Sequence, residues 1–132
     1  MSTPRALIIG GSLSGLLTAN LLRNIGWQVE IFERACGDLA GRGAGLGAQA
    51  DLFTVMRQIG IRIDRSMWTE VRSHVCLDRT GEPVCGVPVR EVTTAWDRVY
   101  QSSKGILQDR TIPWRNDAAP LRTDGAWCRC SV

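Results

Sequence analysis

The sequence predicts an α/β fold built on a strand–helix–strand unit at its N-terminus, and three features carry that prediction. The run from Arg5 to Ile9 is apolar without alternation, as expected for a parallel strand buried on both faces. From Ser14 to Ile25 the leucines recur at helical spacing, and Gly26 is placed to end that helix. The segment WQVEIFER then supplies a second strand, which completes one right-handed βαβ unit.

The remainder predicts a smaller second layer followed by a tail. The segment ACGDLAGRGAGLGAQA holds too many glycines for a regular helix or strand, because each ordered glycine costs backbone entropy. A short helix is expected over residues 51–59, a β-hairpin around DRTGEP, and another helix in TTAWDRVYQSSKG with Thr93 or Thr94 as its N-cap. Residues 1–108 should therefore form the N-terminal part of a domain. Residues 109–132 read as an irregular tail whose composition suggests out-of-frame translation, a hypothesis that sequencing the coding DNA tests.

Composition excludes several classes of function. The 132 residues, 44% of them hydrophobic, suffice for one globular domain. A net charge of +3 without a block of Lys and Arg argues against nucleic-acid binding. No apolar run could cross a bilayer and no signal peptide is recognisable, so a cytoplasmic protein is expected. The five cysteines form no CxxC pair, and their odd number favours reduced thiols. The single histidine, His74, has no identifiable relay partner, so nucleophilic catalysis is not expected.

The turn after the first strand, GGSLSG, has the features of a nucleotide-binding loop. Gly10 follows the strand and permits a tight reversal, while Gly15 lets the helix pack closely on the strand. Ser12 replaces the middle glycine of G-x-G-x-x-G, and its hydroxyl can itself donate to a phosphate. Amides at the helix N-terminus favour an anion there. Gly10, Gly11, Ser12, Leu13 and Gly15 are accordingly predicted to bind the cofactor.

Glu33, at the end of the second strand, identifies the nucleotide as an adenine dinucleotide. A carboxylate about twenty residues beyond the glycine turn is placed to accept hydrogen bonds from the adenosine ribose. It would repel a 2′-phosphate, so the expected ligand is FAD or NAD and not NADP. The residues alone leave that choice open.

The run from LIIGGSLSG through GRGAGLGAQ resembles the N-terminal part of the flavoprotein aromatic hydroxylases, which are FAD-dependent monooxygenases. With TTAWDRVYQ it is most similar to the 2,6-dihydroxypyridine hydroxylase branch. The resemblance implies a Rossmann-like FAD-binding fold with FAD as cofactor, NADPH as reductant and a small aromatic substrate. By position it assigns Arg42, Gly45 and Gln49 to the pyrophosphate and flavin, and Arg34 joins the cofactor-binding set. Trp96 stands where much of the family has a flavin-contacting arginine.

The resemblance also implies motifs that this chain lacks. The family has a later Asp-Gly motif and a still later Gly-Asp motif, and Asp124-Gly125 lacks the surroundings of the first. We therefore expect an incomplete FAD-binding fold that is inactive alone. A small non-catalytic NAD- or FAD-binding module and a non-functional truncation product are the alternatives.

Overall fold

Two small sheets and three α-helices make up the computed structural model, which describes residues 2–35, 38–109 and 128–129. In chain order the elements are β1 (Arg5–Ile9), α1 (Leu13–Asn24), β2 (Gln28–Glu33), β3 (Gly45–Gly47), α2 (Ala50–Gln58), a 3-10 turn (Arg65–Met67), β4 (Thr69–Leu77), β5 (Pro83–Ala95), α3 (Trp96–Asp109) and β6 (Cys128–Arg129).

The first sheet confirms the predicted βαβ unit. Strands β1 and β2 pair in parallel, in a register that runs from Arg5 opposite Gln28 to Ile9 opposite Phe32. Helix α1 crosses between them and ends at Asn24, and Gly26, directly after the C-cap residue Ile25, takes the left-handed φ of +86° that glycine adopts without strain. Strand β6 pairs antiparallel with the other edge of β2. No strand was predicted in that part of the chain. Of the predicted tail, Asp109 instead ends α3, and residues 110–127 and 130–132 lie outside the described residues.

The expectation that β1 is buried on both faces is wrong for the described part of the chain. Ile8 packs against the cluster formed with α1 and α3. Leu7 and Ile9 point to the opposite face and are 50% and 60% exposed. The helices that the structure describes therefore cover one face of this strand, and its other face is open to solvent. A continuous apolar run could not distinguish one covered face from two.

Helix α3 links two small cores. One cluster combines α1 and β2 with α3, and the other combines α2 and the residues after it with α3. The buried residues are Leu16, Ala19, Ile31, Leu39, Tyr100 and Leu107 in the first cluster, and Met56, Ile59, Ile61 and Val99 in the second. Burial of apolar surface on two sides of α3 fixes this helix against both the βαβ unit and α2.

The second sheet has the order β3–β5–β4 and is antiparallel throughout. The predicted hairpin is confirmed, and the Asp78 carboxylate closes its turn by accepting from the backbone amides of Thr80 and Glu82. Two expectations are wrong here. Residues 45–47 form a strand despite their glycines, because pairing with β5 satisfies their backbone. Thr93 and Thr94 belong to β5 and do not cap α3, since both pair with β3.

No helix in the described part of the chain is long and apolar enough to span a membrane.

Candidate cofactor site

The turn between β1 and α1 meets the geometric requirements of a nucleotide-binding loop. Gly10 has a φ of +104°, a conformation that other residues adopt only with strain, and its amide donates to the Phe32 carbonyl oxygen at 2.7 Å. A Cβ on Gly15 would lie 1.9 Å from the Gly10 carbonyl oxygen, a separation that no packing allows. The helix therefore starts directly against the turn, as predicted for these two glycines.

The N-terminus of α1 is presented without a cap of its own. Ser12 occupies the N-cap position in an extended conformation, and its carbonyl accepts from the Leu16 amide at 3.0 Å. Within the described residues its hydroxyl makes no capping bond, and the first turn of the helix contains no acidic side chain. The first amides of a helix lack intrahelical partners and carry the positive end of the helix dipole. This end of α1 is suited to an anion.

Glu33 is held at the mouth of the same turn. Its Oε2 accepts from the Gly11 amide at 2.8 Å, and its Oε1 accepts from the Ala35 amide at 2.8 Å. The turn after β1 and the end of β2 are thus joined through one carboxylate. Each carboxylate oxygen has a second lone pair, so both can still accept a hydroxyl hydrogen. The hydrogen bond from the Gly11 amide gives Glu33 a structural role in joining the turn to the end of β2, which the sequence pattern did not identify.

The backbone around Glu33 keeps it ionised. The hydrogen bond from the Ala35 amide is the largest influence and lowers the pKa of the Glu33 carboxyl below its ordinary value of 4.5. Burial acts in the opposite direction, while the amides of Gly11 and Arg34 lower the pKa further. The group is a charged acceptor at neutral pH, as a ribose contact requires.

The second glycine-rich segment, residues 38–44, is anchored along one face of α3. The Asp97 carboxylate accepts from the Gly41 amide at 3.1 Å, and the Tyr100 hydroxyl accepts from the Leu39 amide at 3.4 Å. One turn further on, the ammonium group of Lys104 donates to Asp38 Oδ2 at 2.9 Å. The anchoring residues Asp97, Tyr100 and Lys104 follow the three- and four-residue spacing of one helix face.

Trp96 supplies the apolar part of the same anchor. A Cβ on Gly43 would lie 2.2 Å from Trp96 Cγ, so the bare backbone of the segment rests on the indole. The Trp96 amide donates to the Ala44 carbonyl oxygen at 3.0 Å. Its ring stacks on Tyr100, with 4.7 Å between centroids and 13° between planes. Trp96 therefore supports residues 38–44 directly, by packing and by one backbone hydrogen bond.

The anchor perturbs two ionisable groups. The hydrogen bond from Lys104, helped by the Ala40 amide, lowers the pKa of Asp38 to about 2. Burial raises the pKa of the Tyr100 hydroxyl above its ordinary value of 10.0. Asp38 is ionised at physiological pH, as its ion pair with Lys104 needs, and Tyr100 is neutral.

The structure brings only some of the predicted site residues together. Gly10, Gly11 and Gly15 meet at the turn with Glu33. The remaining residues lie around it: Ser12 and Leu13 begin α1, Arg34 and Arg42 are exposed on loops, Gly45 lies in β3, and Gln49 precedes α2. In the described residues, side-chain hydrogen bonds join the segment that holds Arg42 to α3, and its Leu39 packs in the first core cluster. The assignments of Arg34, Arg42, Gly45 and Gln49 therefore stay predictions.

Sequence reasoning missed the α3 anchor. Asp38, Asp97, Tyr100 and Lys104 were not singled out, and only Trp96 was noticed, through the resemblance. A signal was present, because Trp96, Tyr100 and Lys104 recur every four residues on a predicted helix. This periodicity does not indicate which segment of the chain packs against that helix face.

The whole βαβ unit and the second sheet match a known family. The model of the FAD binding domain family aligns with residues 3–119, and the chain belongs to that family. The cofactor of this domain is FAD, and the fold is the Rossmann-like α/β fold of the flavoprotein hydroxylases.

Within this family, the chain is similar to several enzymes whose names refer to hydroxypyridine compounds. The chain is 35% identical over 100 residues to 2,6-dihydroxypyridine 3-monooxygenase of Paenarthrobacter nicotinovorans, covering 75% of this chain and 25% of that protein. The structure of 2,6-dihydroxypyridine-3-hydroxylase from Arthrobacter nicotinovorans matches with a TM-score of 0.62 and 34% identity, over 77% of this chain and 26% of that one. A 2-methyl-3-hydroxypyridine-5-carboxylic acid oxygenase shares the fold at a TM-score of 0.63 and 18% identity, over 82% and 30% of the two chains. The chain spans about a quarter of the length of the first two relatives.

The residues present fit the adenosine end of FAD. Because Gly15 has no Cβ to meet the Gly10 carbonyl oxygen, the uncapped N-terminus of α1 lies directly against the turn. The ionised Glu33 retains acceptor capacity beside it. A pyrophosphate needs the first feature and a ribose diol needs the second.

Proposed function

We propose that this chain is the N-terminal FAD-binding part of an NADPH-dependent monooxygenase that hydroxylates a hydroxypyridine-type ring. The observation that carries the proposal is the Gly11–Glu33 hydrogen bond of 2.8 Å, which fixes an ionised carboxylate beside a glycine turn that opens onto a helix N-terminus. The 34–35% identity to the dihydroxypyridine enzymes supports the substrate class.

In this proposal the chain binds and orients the ADP half of FAD. The amides at the start of α1 receive the pyrophosphate, with the Ser12 hydroxyl as a further donor. Glu33 accepts from the ribose hydroxyls and disfavours a 2′-phosphate by charge repulsion. FAD supplies the redox chemistry of the reaction when it is bound. Arg42, on the segment anchored by α3, is assigned to the pyrophosphate by the resemblance alone, as a cation that would offset its charge.

Competition between ligand fragments tests the proposal. Purified chain is titrated with FAD, followed by flavin fluorescence, and bound FAD is then challenged with ADP, FMN, NAD and NADP. We expect ADP to displace FAD and FMN to fail, because the proposed site residues would bind the ADP half. NADP should compete less well than NAD.

Three outcomes would contradict the assignment. Displacement by FMN but not by ADP would show that the chain binds the flavin half of FAD. Stronger binding of NAD than of FAD would favour a small NAD-binding module without flavin chemistry. A chain that is folded by circular dichroism and binds none of these ligands would support a non-functional truncation product.

A further inference from the structure

The β4–β5 hairpin carries two cysteines that face each other across its strands. Cys76 and Cys85 are direct partners in the antiparallel register, next to the pair formed by Val75 and Gly86. Both thiols are free, and both side chains are exposed to solvent. They lie in the half of the hairpin that ends at the Asp78 turn, away from the end of β5 that pairs with β3. This pair has no part in the cofactor site described above.

The register places these thiols within bridging range. Side chains of directly opposed residues leave the same face of an antiparallel pair. Opposed Cα atoms in such a pair are about 4.5–5.5 Å apart, inside the range of about 4.4–6.8 Å that disulfides span. The register also shifts between Cys76 and Leu77, and a bulge at this point lets the strands adjust locally.

We propose that Cys76 and Cys85 form a redox-active dithiol that hydrogen peroxide oxidises to a cross-strand disulfide. One thiolate attacks the peroxide, whose O–O bond breaks to give a sulfenic acid and hydroxide. The second thiol then attacks the sulfenic sulfur, which forms the S–S bond and expels the oxygen as water. The net reaction oxidises two thiols, reduces one peroxide and produces two waters. It needs no flavin.

Exposure makes the reaction feasible without unfolding. Neither sulfur has to leave a core, and the oxidant reaches both from solvent. Among the described residues no group of three or more His, Cys, Asp or Glu side chains could hold a metal ion. His74, on the same strand, has its Nε2 3.3 Å from a Glu91 carboxylate oxygen. The chemistry that the pair itself offers is thiol–disulfide exchange.

The sequence provides a direct assay, because trypsin cleaves after Arg79, between the two cysteines. The whole chain is treated with hydrogen peroxide, its remaining thiols are alkylated, and it is digested without reductant. We expect peptide 73–79 joined to peptide 80–90 as the main oxidised product, with the loss of both thiols from alkylation. Treatment with a dithiol reductant should separate the two peptides again.

A matched variant moves one thiol to the other face of the hairpin. In the double variant Cys85→Ser/Gly86→Cys the new cysteine lies opposite Val75, and it fits because a Cβ at Gly86 meets only the His74 carbonyl oxygen, at 3.9 Å. This variant should not form the linked peptides. The proposal is overturned if the wild-type cysteines stay alkylatable, if they oxidise only to separate sulfenic or sulfinic acids, or if the moved thiol links to Cys76 equally well.

Discussion

At the scale of single residues, Glu33 has two roles, and the sequence pattern predicted only one of them. The pattern marked it as a ribose acceptor, and the structure adds that it ties the end of β2 to Gly11 and Ala35 through its two oxygens. The carboxylate therefore shapes the site as well as offering acceptors to a ligand. Its substitution should affect both properties.

We expect Glu33→Ala to weaken FAD binding by about 1–3 kcal/mol, which is roughly 5- to 150-fold in Kd, because charged hydrogen bonds to the ribose are lost. Glu33→Gln should lose less, since it keeps one acceptor oxygen. Glu70→Ala, on the exposed hairpin, is the matched control and should bind normally. A folded Glu33→Ala protein with unchanged affinity would remove Glu33 from the site.

Gly15 is predicted to be essential for its lack of a side chain, whereas Gly105 is not. Gly15→Ala places a Cβ 1.9 Å from the Gly10 carbonyl oxygen, so α1 must move off the turn and both stability and FAD affinity should fall. Gly105→Ala meets nothing within 4 Å on α3 and should stabilise the chain by about 0.5–1 kcal/mol. Urea unfolding and FAD titration measure both variants. Equal behaviour of the two would contradict the packing argument.

The Asp38–Lys104 pair gives a pH dependence of known sign. Because the pKa of Asp38 in the folded chain is lowered from 3.8 to about 2, its contribution to stability is present above pH 3.8 and is lost as the pH falls through about 2. Carboxyl NMR should show Asp38 titrating near that value, and Lys104→Met should return it towards 3.8. A titration of Asp38 that Lys104→Met leaves unmoved would show that the ammonium group is not the cause.

At the scale of elements, α3 gives residues 38–44 a fixed conformation. Glycine-rich backbone has little order of its own, and here four contacts from one helix face supply it: Asp97 to Gly41, Tyr100 to Leu39, Lys104 to Asp38, and the Trp96 ring under Gly43. Trp96 thus has a structural role in holding this segment, through its ring and its backbone amide.

Limited proteolysis tests this anchor, because Arg42 is an exposed trypsin site within the segment. Asp97→Ala removes the acceptor of the Gly41 amide, and one such bond corresponds to roughly a five- to tenfold rise in local opening and cleavage after Arg42. Cleavage after Arg79 in the hairpin turn is the internal reference and should not change. Equal acceleration at both sites would indicate global destabilisation and not loss of the anchor.

At the scale of the whole molecule, the described residues leave two apolar surfaces open. One is the face of β1 with Leu7 and Ile9, and the other is the hairpin, where Val75, Leu77, Val84 and Val87 are each more than half exposed. The chain spans about a quarter of the length of its dihydroxypyridine relatives, and the described site residues fit the adenosine end of FAD. We therefore expect that binding of the adenosine half can be measured separately from catalysis.

We expect this chain, supplied with FAD, NADPH and a panel of hydroxypyridines and phenols, to give no hydroxylated product. Hydroxylation requires that the reactive flavin is shielded from water, whereas the described site residues fit only the ADP half of FAD. Any NADPH consumption should be slow and should yield hydrogen peroxide. Mass spectrometry of the products is the measurement, with the full-length dihydroxypyridine enzyme as positive control. Stoichiometric product from the 132-residue chain would refute the prediction.

The sequence by itself determined the βαβ unit, the left-handed glycine after α1, the hairpin and the turn–carboxylate pair, because each depends on local periodicity or on steric limits of single residues. Only the tertiary structure decided the rest. It showed that β1 is covered on one face, that residues 45–47 join a sheet, that Thr93 and Thr94 continue β5, and that α3 anchors the glycine-rich segment. These features depend on which distant segment supplies a hydrogen-bond partner or a packing surface. Local periodicity in the sequence does not indicate which distant segment that will be.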